Sequence, residues 1–212
     1  VGPEEFAQSM EKLARRGVHV LGGCCGTTPE HIQALIAACK DIPFTPPTPK
    51  GRTVVSSYAQ AVEIGADPVL IGERINPTGK KKFKEALRRN DIDYLLGEGF
   101  AQEEAGAHVL DVNVGLPEID EPELLTRAVC ALQAVLPLPL QIDTSDPVAM
   151  ERALRRYNGK PMVNSVSGKE ESLSAVLPLV KKYGGVVVGL TLDEGGIPET
   201  AQGRLAVARK IR

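Results

Sequence analysis

Four compact sets of polar residues recur behind apolar runs: Glu73-Arg74-Ile75-Asn76, Asp111-Val112-Asn113, Asp143-Thr144-Ser145 and Asn164-Ser165. Any one of them has an ordinary explanation, because Asp and Asn often end strands by bonding nearby backbone. Four in succession point instead to a shared binding site. The set consists of carboxylates and amides, with no histidine or cysteine. Such side chains can match the donors and acceptors of a nitrogen-rich heterocycle, and a carboxylate can accept two N–H bonds from an amino-pyrimidine edge. Two or more carboxylates could also hold Mg²⁺, an alternative that the set alone leaves open.

A second group of interest is Cys24-Cys25, inside Gly22-Gly23-Cys24-Cys25-Gly26-Thr27. Free cysteine is usually a small buried hydrophobe, and two thiolates alone do not make a zinc site. Adjacent cysteines pair with each other only under strain, so with Cys39 and Cys130 the four do not read as a disulfide framework. A reducing, cytoplasmic setting is expected. A third group, Gly79-Lys80-Lys81, reads either as a cationic loop or as a solvated helix start.

The polar sets need elements to hold them. Strands are expected at Val69 to Gly72, Val109 to Val114, Leu138 to Ile142, Met162-Val163 and Val186 to Leu190. Helices are expected within 79–106 and over 121–136, 147–157, 170–183 and from Thr200. Short apolar strands alternating with helices predict a parallel sheet buried on both faces. An open doubly wound sheet and an eight-stranded (β/α)8 barrel (a TIM barrel) both fit. A barrel gathers its strand C-termini around one mouth and so would converge the four sets on one ligand, which selects the barrel. A full barrel takes about 250 residues, so 66–212 are expected to supply roughly five of its eight units.

Ahead of this region, 5–16 have helical spacing with Gly17 as the stop. Val18 to Leu21 read as a short buried strand, and a helix is predicted from Thr28-Pro29-Glu30. Pro43, Pro46, Pro47 and Pro49 cannot continue a helix or central strand. The expected organisation is one module over 1–42, a proline-rich linker over 43–65 and a second module over 66–212. The start at Val1 and the close on Arg212 within a helix suggest a piece of a larger protein.

Composition narrows the function. The chain has 212 residues, with Lys+Arg 25 against Asp+Glu 27, only 4% aromatics and no Trp, which argues against nucleic-acid binding. No apolar stretch has the length of a membrane span, and no secretory signal opens the chain.

The ordered motifs resemble the cobalamin-dependent methionine synthases and related folate–corrinoid methyltransferases. Ile71-Gly72-Glu73-Arg74-Ile75-Asn76 with Pro77-Thr78-Gly79-Lys80-Lys81 is similar to the opening strand and loop of their pterin-binding module. Leu110 to Gly115, Ile142 to Ser145 and Val163 to Ser167 are similar to the next three strands. The resemblance implies that Asp143 and Asn164 contact the pterin ring of 5-methyltetrahydrofolate. Glu73, Asn76, Asp111 and Asn113 would form the floor and sides, and Gly79, Lys80 and Lys81 would lie over the mouth, near the folate's glutamate carboxylates. No catalytic residue is assigned.

Gly22 to Thr27 resembles the last strand end of a homocysteine methyltransferase barrel. That implies zinc on Cys24 and Cys25, with a third cysteine ligand upstream of Val1 and the substrate thiol, homocysteine, on the open position. The implied activity is methyl transfer from methyltetrahydrofolate via cobalamin to homocysteine. Cobalamin would be bound by another module of the same polypeptide. A folate–corrinoid methyltransferase without homocysteine chemistry, a dihydropteroate synthase-like enzyme and a non-catalytic scaffold fragment are the alternatives.

Overall fold

The computed structural model describes residues 1–46, 48 and 51–212. Pro47, Pro49 and Lys50, part of the proline-rich segment, lie outside the described residues. The chain divides into two compact units, Val1–Gly51 and Arg52–Arg212.

The first unit is a helical pair, α1 (Pro3–Arg15) and α2 (Pro29–Cys39). Gly17, at φ 91°, ends α1 in a conformation that suits glycine. The strand expected at Val18 to Leu21 does not form: those residues are irregular, and Val20 is 90% exposed. A strand needs a hydrogen-bonding neighbour, and the described residues of this unit supply none.

The second unit opens with β1 (Thr53–Ser56) and β2 (Ala61–Ile64), an antiparallel hairpin. This corrects the linker expected over 43–65, whose latter part is folded structure. Ser57 closes the turn, its Oγ accepting from the Ala59 and Gln60 amides at 3.1 Å each.

Five parallel strands follow: β3 (Ile71–Ile75), β4 (Val109–Val112), β5 (Leu140–Asp143), β6 (Met162–Ser167) and β7 (Val186–Leu190). They are joined by α3 (Lys81–Arg88) and α4 (Ile92–Glu104), α5 (Glu121–Val135), α6 (Pro147–Arg156) and α7 (Glu170–Tyr183); α8 (Ala201–Ile211) comes after β7. Asp91, Asp120, Asp146 and Thr200 cap α4, α5, α6 and α8 through side-chain oxygens that accept from the first-turn amides. The strands lie in chain order, β3-β4-β5-β6-β7, with no reversal. Parallel strands are almost always joined by right-handed crossovers, and crossovers that always step the same way put every helix on one face, as in a barrel wall.

The two faces differ sharply. Leu110, Val112, Leu140, Ile142 and Val163 face the helices and form the main core with Leu125, Val129, Leu132, Met150 and Leu154. On the opposite face, Val109 and Met162 pack with Val55 of the hairpin, joined by Val62, Ile71 and Val186. The hairpin therefore covers the beginning of the inner face. Tyr157 fixes it there, donating to the Ser56 carbonyl at 2.8 Å and accepting from the Leu140 amide at 3.0 Å. Burial pushes the Tyr157 hydroxyl up to about 12.

Candidate functional site

Side chains alternate along a strand, so residues two apart share a face. On the inner face Ile71 is followed by Glu73, Val109 by Asp111 and Asn113, Gln141 by Asp143, and Met162 by Asn164. Register brings them together: Asp111 is the partner of Gln141 across β4 and β5, and Asp143 the partner of Asn164 across β5 and β6.

Direct hydrogen bonds link this set. Asn113 Nδ2 donates to Asp143 Oδ2 at 3.0 Å, while Asn113 Oδ1 accepts from the Gly115 amide at 2.9 Å. Asp111 Oδ1 accepts from Asn164 Nδ2 at 3.4 Å and from Gln141 Nε2. Asp111 and Gln141 are buried, and Asp111 Oδ2 and Gln141 Oε1 have no hydrogen-bond partner.

The electrostatics follow from this crowding. Burial, with the Asp143 and Glu73 charges, raises Asp111 to about 6 against the opposing pull of its bonds from Gln141 and Asn164. Asp143 is raised chiefly by burial and further by Glu73, while the Asn113 bond works the other way. The result is a floor rich in acceptors and in negative charge, suited to a ligand that presents several N–H donors or a developing positive charge.

The opening strand reaches the site through an irregularity. Register shifts between Gly72 and Ile75, and Gln102 from α4 fills the gap, accepting from the Arg74 amide at 2.7 Å and donating to the Glu98 carbonyl at 2.9 Å. A Cβ on Gly72 would come within 2.6 Å of Gln102 Oε1, so a larger residue there would displace the Gln102 amide from the Arg74 amide. Asn76 is buried, and its Oδ1 accepts from the Thr78 amide at 2.9 Å, shaping the turn. Gly79 takes φ 70°. Lys80 Nζ donates to the Glu73 carbonyl at 2.8 Å and the Arg74 carbonyl at 3.2 Å, clasping the loop to the strand end. Lys81 begins α3 and is exposed. A side cavity of about 340 Å³ opens beside the floor, lined by Thr78, Asn113, Glu121, Thr144 and Ser145 among others.

Asp111, Asn113, Asp143 and Asn164 are thus brought together, with Glu73 close enough to act on both carboxyls. Asn76, Gly79 and Lys80 shape the adjoining loop. Gln141 was not anticipated from sequence. Its signal is its position two residues before Asp143, on the same face.

In the first unit, Cys24 and Cys25 are exposed and lie in a turn closed by the Thr27 amide donating to the Cys24 carbonyl at 3.0 Å. Gly26 takes φ 83°, and a Cβ on Gly23 would collide with Thr27. The two thiols line a cavity of about 610 Å³ with Phe6, Met10 and His31. His31 is held in place, its Nδ1 accepting from the Thr28 amide at 3.3 Å and its Nε2 meeting the Val1 carbonyl at 3.1 Å. Two thiols are suitable soft donors for zinc but too few for a site. Among the described residues, no three His, Cys, Asp or Glu side chains are grouped to hold a metal. Nor is any described helix long and apolar enough to cross a membrane.

Residues 72–210 match the family model for pterin binding enzymes. The chain belongs to the pterin-binding enzyme family. Residues 1–39 match the homocysteine S-methyltransferase model. Both matches run with the two structural units, and the polar floor lies inside the pterin-binding match. Among curated proteins the chain is similar to the methionine synthases of Mycobacterium tuberculosis, 31% identical over 217 residues, and Mycobacterium leprae, 31% identical over 222 residues. Each alignment covers 99% of this chain but 18% of the relative, so the chain spans under a fifth of their length. Solved structures similar to it include a dihydropteroate synthase from Xanthomonas albilineans with 7,8-dihydropteroate, at 25% identity and TM-score 0.39, covering 54% of this chain and 41% of that one. Another is the Burkholderia cenocepacia dihydropteroate synthase, at 20% identity and TM-score 0.43, covering 76% and 56%.

Proposed function

We propose that the second unit binds 5-methyltetrahydrofolate and that the chain serves a methionine synthase, which moves the folate methyl group to homocysteine. The observation that carries this reading is the acceptor-rich floor made by Asp111, Asn113, Asp143 and Asn164. A pterin offers amino and ring N–H donors along one edge, which suit the acceptors left free on Asp143, Asn164 and Asp111. The methyl group leaves from N5, a tertiary amine and a poor leaving group until protonated. Negative charge from Asp111, Asp143 and Glu73 favours that cationic form, so the same residues that bind the ring assist departure of the methyl group. Cobalamin, carried by a separate module of the polypeptide, is the methyl carrier in this reading.

In the first unit, Cys24 and Cys25 supply two zinc ligands, completed by a third cysteine upstream of Val1. Their exposed position on one cavity wall leaves the thiols accessible to a metal and a substrate thiol. Zinc there would hold the homocysteine sulfur as its nucleophilic thiolate. Four free cysteines suit a reducing, cytoplasmic setting.

Two half-reactions test the reading in the full-length protein, since cob(I)alamin and methylcobalamin absorb differently. Asp143→Ala should abolish methyl transfer from methyltetrahydrofolate to cob(I)alamin and leave transfer from methylcobalamin to homocysteine intact. Cys24→Ser or Cys25→Ser should do the reverse and release about one zinc per chain. A folded Asp143→Ala protein with wild-type folate affinity would overturn the folate assignment. A cysteine variant that keeps its zinc would overturn the metal assignment.

A further inference from the structure

Gln141 is 5% exposed and stands second in β5, where its neighbours Leu140 and Ile142 are apolar core. An apolar residue would suit a buried strand position better than an amide whose oxygen lacks a partner. The amide nonetheless points at one atom, Asp111 Oδ1, which also accepts from Asn164 Nδ2 at 3.4 Å. This arrangement commits both amide donors to Asp111 and leaves three oxygens over: Asn164 Oδ1, Asp111 Oδ2 and Gln141 Oε1. The last two are buried and unpartnered. As a structural brace the trio is poor, because it strands acceptors. As a device for aiming acceptors at a donor-bearing ligand it is coherent.

We infer that Gln141 is a positioning residue for pterin recognition, fixing the Asp111 carboxylate and, through it, the orientation of the Asn164 amide. The inference rests on the pterin reading above and adds to it a residue with no direct part in the methyl transfer. The charged groups facing Asp111 are Glu73 on β3 and Asp143 on β5, both negative, while β6 presents the neutral Asn164. Gln141 therefore supplies one of the few interactions that favour an ionised Asp111. Removing it shifts Asp111 toward protonation and lets the Asn164 amide turn.

The test is methyltetrahydrofolate binding by the full-length protein, titrated calorimetrically from pH 5 to pH 8. Gln141→Met keeps the length but donates nothing. It should weaken binding about tenfold at neutral pH. Its acid limb, where affinity falls as Asp111 takes up a proton, should move up by about one pH unit. Gln141→Glu tests the donor itself. A protonated glutamate can donate to Asp111, whereas an ionised one repels it. Its affinity should therefore approach wild type at the acid end and fall as pH rises, opposite in slope to Gln141→Met. Wild-type affinity and pH profile in Gln141→Met would overturn the inference while leaving the pterin reading in place. So would an equal loss at every pH in both variants, the signature of a merely structural role. Absence of binding by the wild-type protein itself would overturn both.

Discussion

Replacing Asp111 by Asn removes a buried charge while keeping the side chain's shape and an oxygen to accept from Gln141 and Asn164. Burial, with the Asp143 and Glu73 charges, raises this carboxyl from 3.8 to about 6. The folded state therefore holds the proton more tightly than the unfolded state does. The stability this proton contributes is fully present below pH 3.8 and is lost as pH rises to about 6. A difference of about two pH units corresponds to about 3 kcal/mol. Asp111 is 1% exposed, so solvent screening removes little of this. At pH 7.5 Asp111→Asn should then be the more stable protein, by up to about 3 kcal/mol, and the advantage should vanish near pH 4. Hydrogen exchange at the Leu110, Val112 and Ile142 amides, corrected for intrinsic rates, reads this in the full-length protein whatever other modules do. Methyltetrahydrofolate affinity should fall in the same variant, because the charge that costs stability is the one the ligand uses. Lower protection at pH 7.5 than in wild type, or an equal difference at both pH values, would refute the reasoning.

Two further substitutions test the scaffold. Tyr157→Phe leaves the Leu140 amide and Ser56 carbonyl without their shared hydroxyl. It should cost about 1–3 kcal/mol and loosen the hairpin, seen as faster exchange at the Val55 amide. Gly99 lies where α4 meets α5, and a Cβ there would come 2.8 Å from Leu136 Cδ1 and 2.9 Å from Leu132 Cδ2. Gly99→Val should lower stability by about 1–3 kcal/mol with ligand affinity unchanged, read by denaturant unfolding and titration.

Much of the second unit was legible. Helices 121–135, 147–156 and 170–183 fall within a residue or so of expectation because apolar periodicity marks all three, and Asp120 and Asp146 cap the first two. The failures have physical causes. Val18 to Leu21 has strand-like composition, yet composition cannot supply the neighbouring strand that pairing requires. The hairpin at 53–64 was read as linker because the prolines before it dominate the segment, while its own signal is brief: Val54 and Val55, then Val62 and Ile64. Lys80 read either as part of a cationic loop near the folate carboxylates or as a solvated helix start. Neither reading included the contact of its ammonium with the β3 carbonyls, which residue type alone does not reveal.

The missed Gln141 has a more general reason. Reading Leu138 to Ile142 as one apolar run hides the fact that a strand has two faces. Taken at every second residue, the inner face changes character along its length: Val109 gives way to Asp111 and Asn113, Met162 to Asn164, and Ile71 to Glu73. The apolar beginning is covered by Val55 and the rest of the hairpin, which excludes water from the base of the face. The polar groups just above that plug are consequently the most desolvated, and Asp111 is the clearest case. Gln141 stands level with Asp111 in the register, at the boundary between plug and floor. A donor is worth most at that level, because a buried carboxylate has no water to turn to. The same gradient explains why Asp143, one step nearer the open end, is half-buried rather than buried. Depth along the inner face thus separates the buried Asp111–Gln141 pair from the half-buried Asp143 and Asn164 nearer the open end.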